Sequence, residues 1–181
     1  MLGGTGLIAP AVDTSITLGG VFAPGTPGGT MGEDIALTVS GTGNISFDAQ
    51  SIFEIFGNTG GVNLASANDK AIIDATDWTN VIFGGSSVLT IIDTTGTSTT
   101  WVAGDKWTIF DWSAVGGTAP TTGFATVGST PALDPGLTWD FSALYTTGVI
   151  SVAVVVPEPS RALLLLVGML GLLLRRRRVR G

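Results

Sequence analysis

The chain has 181 residues, of which 44% are hydrophobic and only 12% are charged, and its formal net charge at pH 7 is −6. It contains neither cysteine nor histidine, which excludes disulfides, thiol nucleophiles, histidine bases and zinc sites built on these residues. The length fits one domain that can bury a sizeable core.

The charge is divided unevenly along the chain. Residues 1–156 carry 13 acidic residues and only two basic ones, Lys70 and Lys106. Residues 157–181 carry Glu158 against six arginines. This asymmetry predicts an acidic body and a separate basic tail. Because nucleic-acid binding depends on Lys and Arg that neutralise phosphates, we expect no nucleic-acid partner for the body.

The body contains short runs of apolar and β-branched residues separated by Gly, Asn, Asp and Pro, which predict strands and turns. In chain order the runs are 35–39, 45–56, 70–74, 79–83, 87–93, 106–112 and 148–156. In the second run, Phe47, Phe53 and Ile55 share one face, whereas Ile52 and Phe56 break the alternation. We therefore expect a bulge or a second buried face there. This spacing predicts an all-β body over residues 1–155, either a stack of solenoid coils or an antiparallel β-sandwich.

Two groups of oxygen-bearing side chains are candidates for chemistry. Asn68, Asp69, Asp74 and Asp77 offer calcium ligands, but their spacing matches no known calcium loop, so turn capping is the favoured interpretation. A pair such as Asp48 and Glu54 would suit a glycosidase only if the fold brought the two carboxylates together. We expect no catalytic residue, no metal site and no cofactor.

The five tryptophans occupy positions 78, 101, 107, 112 and 139, and three of them, Trp101, Trp107 and Trp112, are close together in sequence. Exposed indole rings would stack on sugar rings, which would make the body a carbohydrate-binding module or a glycan-active protein. Buried rings would belong to the core. We expect burial.

The last 26 residues, 156–181, form a tail with three parts. The first part is the motif Pro157, Glu158 and Pro159, whose prolines favour an extended backbone. The second part is a predicted apolar helix over 161–174, with the uncharged run Ala162, Leu163, Leu164, Leu165, Leu166, Val167, Gly168, Met169, Leu170, Gly171, Leu172, Leu173 and Leu174. The third part is the cluster Arg175, Arg176, Arg177, Arg178 and Arg180.

A helix over this run would be about 20 Å long, shorter than the hydrocarbon core of roughly 30 Å. A buried core helix is the alternative, but such a helix normally has one polar face, and this run is apolar all round. Flanking arginines can snorkel, so we predict membrane insertion. The positive-inside rule then keeps the terminal arginines in the cytoplasm and the body outside.

The order Pro-Glu-Pro, short leucine-rich helix and arginine cluster resembles the PEP-CTERM sorting signal of Gram-negative bacteria. The resemblance implies export and processing near Pro157–Pro159 by exosortase, a membrane-embedded transpeptidase-like enzyme. It also implies association with membrane lipid, and then with the cell surface or its exopolysaccharide.

A looser resemblance concerns the body. Segments 18–28, 103–110 and 136–152 are similar to the C-terminal passenger part of autotransporter-repeat proteins, which implies a parallel β-helix with stacked apolar ladders. The first residues contain no basic or apolar segment typical of a signal peptide. We therefore expect the body to be the distal part of a longer passenger, and a structural or adhesive surface protein without catalysis.

Overall fold

The computed structural model describes residues 2–4, 6–8, 15–25, 34–38, 43–55, 68–74, 78–94, 101–112, 120, 122–156 and 169. Within these ranges the chain is mainly β-structure, as predicted for the body. The strands and the short helix are, in chain order, β1 (Leu2–Gly4), β2 (Gly6–Ile8), β3 (Ile16–Leu18), β4 (Phe22–Pro24), β5 (Asp34–Thr38), β6 (Gly43–Phe47), β7 (Gln50–Ile55), β8 (Lys70–Asp74), β9 (Trp78–Phe83), β10 (Val88–Asp93), β11 (Lys106–Thr108), β12 (Phe110–Asp111), β13 (Thr126–Ser129), β14 (Leu137–Asp140), α1 (Leu144–Thr147) and β15 (Val149–Val154).

The strands form four sheets. Sheet 1 has the order β1-β4-β7-β10-β13, sheet 2 the order β12-β8-β5-β2, and sheet 3 the order β3-β6-β9. All strand pairs in these three sheets are parallel. Sheet 4 has the order β11-β15-β14 and is antiparallel. An antiparallel sandwich, the alternative that the sequence left open, is therefore not the arrangement of the described body.

The chain visits the parallel sheets in a fixed cyclic order. From β2 to β10, successive strands belong to sheets 2, 3 and 1, and this circuit occurs three times. In the first pair of circuits, Gly6 aligns with Ile35, Ile16 with Ile45 and Phe22 with Ser51, each a separation of 29 positions. One constant offset in all three sheets means that whole circuits lie in register on each other.

Two predicted strands are each divided between two sheets. The run 45–56 forms the end of β6 in sheet 3 and β7 in sheet 1, and the chain changes direction at Asp48 and Ala49. The run 106–112 is divided at Ile109 into β11 in sheet 4 and β12 in sheet 2. The sequence pattern predicted an irregularity near Ile52. The structure places the interruption earlier in the run, at the corner formed by Asp48 and Ala49.

Phenylalanine rings from all three parallel sheets meet in one interior. Phe22 and Phe53 come from sheet 1, Phe47 and Phe83 from sheet 3, and Phe110 from sheet 2, and all five are buried. The Phe22 and Phe47 ring centroids are 5.5 Å apart, and those of Phe53 and Phe110 are 4.9 Å apart. These edge-to-face contacts are the favoured geometry for aromatic pairs, so the three sheets share one core.

The edge of the stack formed by β9, β10 and β12 is covered by residues that follow β12. The Thr122 hydroxyl accepts a hydrogen bond from the Phe83 N–H at 2.7 Å and donates one to the Phe83 carbonyl at 3.0 Å. The Gly148 carbonyl accepts hydrogen bonds from the N–H groups of Ile109 and Phe110. Because unpaired strand edges invite further pairing, these contacts close the last circuit.

Candidate functional site

Of the predicted sorting tail over 156–181, the structure describes only Val156 and Met169. Pro157, Glu158 and Pro159, the remainder of the apolar run and Arg175–Arg180 all belong to the undescribed part of 157–181, so their roles stay predictions. Met169 is helical and 59% exposed. Across the described ranges, none of the helices combines the length and the apolar character needed to span a membrane.

The structure does describe the point from which the tail departs. β15 is the central strand of sheet 4, between β11 and β14. Toward the tail the side chains become exposed: Val152 in β15 is 2% exposed, Val154 at the end of the strand is 58% exposed, and Val156 beyond it is 81% exposed. The last backbone contact described before the tail is the hydrogen bond from the Val155 N–H to the Gly136 carbonyl, at 2.8 Å. The tail is therefore attached directly to a strand of the folded body.

The tryptophans form a cluster that differs from the one suggested by sequence. Trp101, Trp107 and Trp139 contact each other, with ring centroids 5.4 to 5.6 Å apart. Trp112 lies elsewhere, parallel to the Phe110 ring at 4.6 Å, because the corner at Ile109 directs β12 into sheet 2. Trp139 joins the cluster through β14, which pairs with β15 beside β11. Only the strand pairing of sheet 4 brings it there.

Trp101, Trp107 and Trp112 have little surface available to a ligand, whereas Trp139 is half-buried. Trp101 is 5% exposed, Trp107 1% and Trp112 8%, so the expectation that they are buried is confirmed. The Trp112 indole N–H donates to the Leu144 carbonyl at 2.9 Å, and the Trp139 indole N–H donates to the Pro131 carbonyl at 2.9 Å. Because their faces are covered, Trp101, Trp107 and Trp112 serve the core and offer no platform for sugar stacking.

The structure describes the side chains of two of the four candidate calcium ligands, the neighbouring residues Asn68 and Asp69. The Asn68 side-chain amide donates to the carbonyls of Asp69 and Thr108, at 2.8 Å and 2.7 Å, and both Asn68 and Asp69 are buried. Asp69 packs against Gly25, whose positive φ of 79° leaves its Cα facing the carboxylate. The Asp74 side chain and Asp77 lie outside the described positions. Among the residues described, no group of three or more acidic side chains could hold a metal ion.

The two carboxylates considered for glycosidase chemistry lie at opposite ends of one strand. Asp48 is exposed at the corner before β7 and packs against Gly84. Glu54 is half-buried near the end of β7. The fold therefore does not assemble them into an acid and a nucleophile on the two sides of one cleft.

Asp140, the last residue of β14, is a carboxylate beside a turn. The backbone N–H of Ser142 donates to its Oδ1 at 2.8 Å. This hydrogen bond and a second one from the Ser142 hydroxyl lower the pKa of Asp140 below its usual 3.8. The arrangement holds the turn between β14 and α1, and it keeps the carboxylate charged.

Comparison with protein-family models, with curated proteins and with solved structures found no match for this chain.

Proposed function

We propose that the chain is an exported cell-surface protein whose body is a parallel β-solenoid and whose tail is a PEP-CTERM sorting signal. The body has a structural or adhesive role and no catalysis of its own. Exosortase processes the tail near Pro157–Pro159, after the helix has held the precursor in the inner membrane with the body on the periplasmic side.

The cyclic strand order supports the solenoid. Three circuits through sheets 2, 3 and 1, with one constant register between the first two, are typical of chains in which each repeat contacts mainly its neighbours. Such bodies extend by adding circuits, and a terminal cap closes the last one. Thr122, Gly148 and sheet 4 supply that closure here.

One observation carries the proposal for the tail: the motif, the apolar run and the arginine cluster follow each other directly after the last strand of the body. Because the processing motif directly follows the folded domain, cleavage there would release the body intact from the membrane helix. The buried tryptophans favour the structural role over the carbohydrate-binding alternative, because the rings of Trp101, Trp107 and Trp112 are buried in the core.

The test compares native cells with and without exosortase. We expect the protein at the cell surface in the parent strain, and in the inner membrane of the strain that lacks the enzyme. Glu158→Ala should cause the same retention, whereas Asp134→Ala, which removes an exposed carboxylate from a loop of the body, should not. Surface delivery that needs neither exosortase nor residues 157–181 would contradict the proposal.

A further inference from the structure

An apolar patch surrounds the point where the tail leaves the body. Val154, Val155 and Val156 are 58%, 46% and 81% exposed, and Val102 in the adjoining turn is 39% exposed. We call these four residues the exit patch. Elsewhere in the described body, exposed large hydrophobic residues occur singly, at Leu2, Ile92 and Val127. Single exposed apolar residues are normal, but three consecutive exposed valines beside a predicted membrane segment form a candidate contact surface.

The backbone around the exit patch is hydrogen-bonded. The Val155 N–H donates to the Gly136 carbonyl at 2.8 Å, and the Gly104 N–H donates to the Val152 carbonyl at 2.8 Å. β15 already has β11 on one side and β14 on the other. The backbone here therefore has little need of a further strand, and the exposed apolar side chains are what a partner would cover. Such side chains favour contact with another apolar surface.

The length of chain beyond Val156 decides which surface lies within reach. Five residues, 157–161, separate Val156 from the uncharged apolar run that begins at Ala162. At roughly 3.1–3.6 Å per extended residue they span at most about 15–20 Å. The polar interface on each side of the hydrocarbon core is about 5–7 Å thick. An inserted tail therefore keeps the exit patch next to the bilayer, and the body cannot move far from it.

We infer that, in the membrane-held precursor, the exit patch lies on the bilayer and inserts its valines at the headgroup–acyl boundary. This inference rests on the proposed function of the tail. Lys106, which is exposed in β11 and aligned with Ser151 of β15, adds a positive charge to the same sheet. The body thus has a fixed orientation in the precursor, with sheet 4 against the membrane and the first circuit directed away from it.

A single fluorescent probe tests this orientation, because the chain has no cysteine of its own. Val154→Cys and Thr17→Cys each receive an environment-sensitive NBD label, and the full chain is reconstituted into phosphatidylcholine vesicles. Thr17 is exposed in β3, at the end of the stack opposite sheet 4, and is the matched control. We expect the probe at 154 to shift to the blue and to be quenched by spin-labelled lipid, and the probe at 17 to do neither.

A second pair of variants separates contact through the patch from general proximity. Val156→Asp, added to the labelled Val154→Cys chain, should reduce the quenching because it places a charge in the apolar patch. Ser129→Asp, an equal charge change on exposed β13, should leave it unchanged. Protein that floats with the vesicles while both probes remain in water would overturn this inference and leave the anchoring tail intact. Protein that does not float would overturn both.

Discussion

The backbone of Gly148 lies directly against the carbonyl oxygen of Phe110, so no side chain fits at position 148. Gly148 also has a φ of 74°, a conformation that residues with a Cβ atom rarely adopt. From this position its carbonyl accepts hydrogen bonds from Ile109 and Phe110, while its N–H donates to the Leu144 carbonyl and ends α1. One glycine therefore connects the last strand of sheet 2, the short helix and β15.

Gly148→Ala is expected to destabilise the body more than the same change at a glycine that has a positive φ but open surroundings. The left-handed conformation alone costs a residue with a Cβ about 1–2 kcal/mol. At position 148 the Cβ also displaces the Phe110 backbone, which is part of the core. Urea unfolding of the full chain in detergent micelles, followed by tryptophan fluorescence, measures the loss.

Gly136→Ala is the matched control, because Gly136 has a φ of 91° and nothing beyond its own chain neighbours lies within 4 Å of the place that a Cβ would occupy there. Gly136→Ala therefore keeps the cost of a left-handed backbone conformation but introduces no contact of the new Cβ with neighbouring backbone. Equal losses of unfolding free energy in the two variants would show that the contact between Gly148 and Phe110 has no energetic consequence.

Phe47→Ala should lower the free energy of unfolding by about 3–5 kcal/mol, as expected for deletion of a buried aromatic ring. Phe47 is 1% exposed and contacts Phe22, Phe83 and Phe110, so its loss opens a cavity between all three parallel sheets. Val154→Ala, on the exposed end of β15, should change stability by no more than about 0.5 kcal/mol. A small effect of Phe47→Ala in denaturant unfolding would mean that the sheets do not share one core.

The Asp140 carboxyl should titrate with a pKa below 3.8, because hydrogen bonds from Ser142 stabilise its charged form. Ser142→Ala removes the hydroxyl and keeps the larger backbone contribution, so it should raise the pKa of Asp140 only part of the way. Since the folded-state pKa is the lower one, any stabilisation is present above the unfolded-state pKa and is lost as the pH falls through the folded-state value. NMR titration of the carboxyl carbon checks the order, and identical values in both proteins would contradict the hydroxyl's role.

The burial of Trp101 and Trp107 predicts that polysaccharide extracted from the producing cells causes no change of emission that depends on these two tryptophans. Trp101 and Trp107 are 5% and 1% exposed, so neither can present a face to a sugar ring without unfolding. Fluorescence titration measures this directly. A saturable change that disappears in Trp101→Phe or Trp107→Phe would restore the carbohydrate-binding alternative.

The sequence correctly predicted that the body is mainly β-structure. Runs of β-branched residues between turn residues favour strands through local chemistry alone, so this feature can be read from the sequence. It located β8, β9, β10 and β15 to within a few residues, and it assigned Phe47, Phe53 and Ile55 to one buried side. It missed the short strands β1 to β4, whose few residues carry too little alternation to distinguish them from loops.

The sequence could not predict which sheet a strand joins. The corner at Ile109 separates Trp107 from Trp112, and strand pairing brings Trp139 to Trp107 instead. Both results follow from contacts between distant parts of the chain, which a local pattern does not contain. The prediction for the tail, in contrast, depends on local chemistry alone: prolines, a uniform apolar run and a block of arginines.

Mass spectrometry of the mature C-terminus is the most direct test of the central claim, made on surface and inner-membrane fractions of native cells. We predict a surface form that ends near Pro157–Pro159 and lacks residues 162–181, with β15 retained because it is the central strand of sheet 4. A protein found only in the inner membrane, with Gly181 intact, would contradict processing. The tail would then be a permanent anchor.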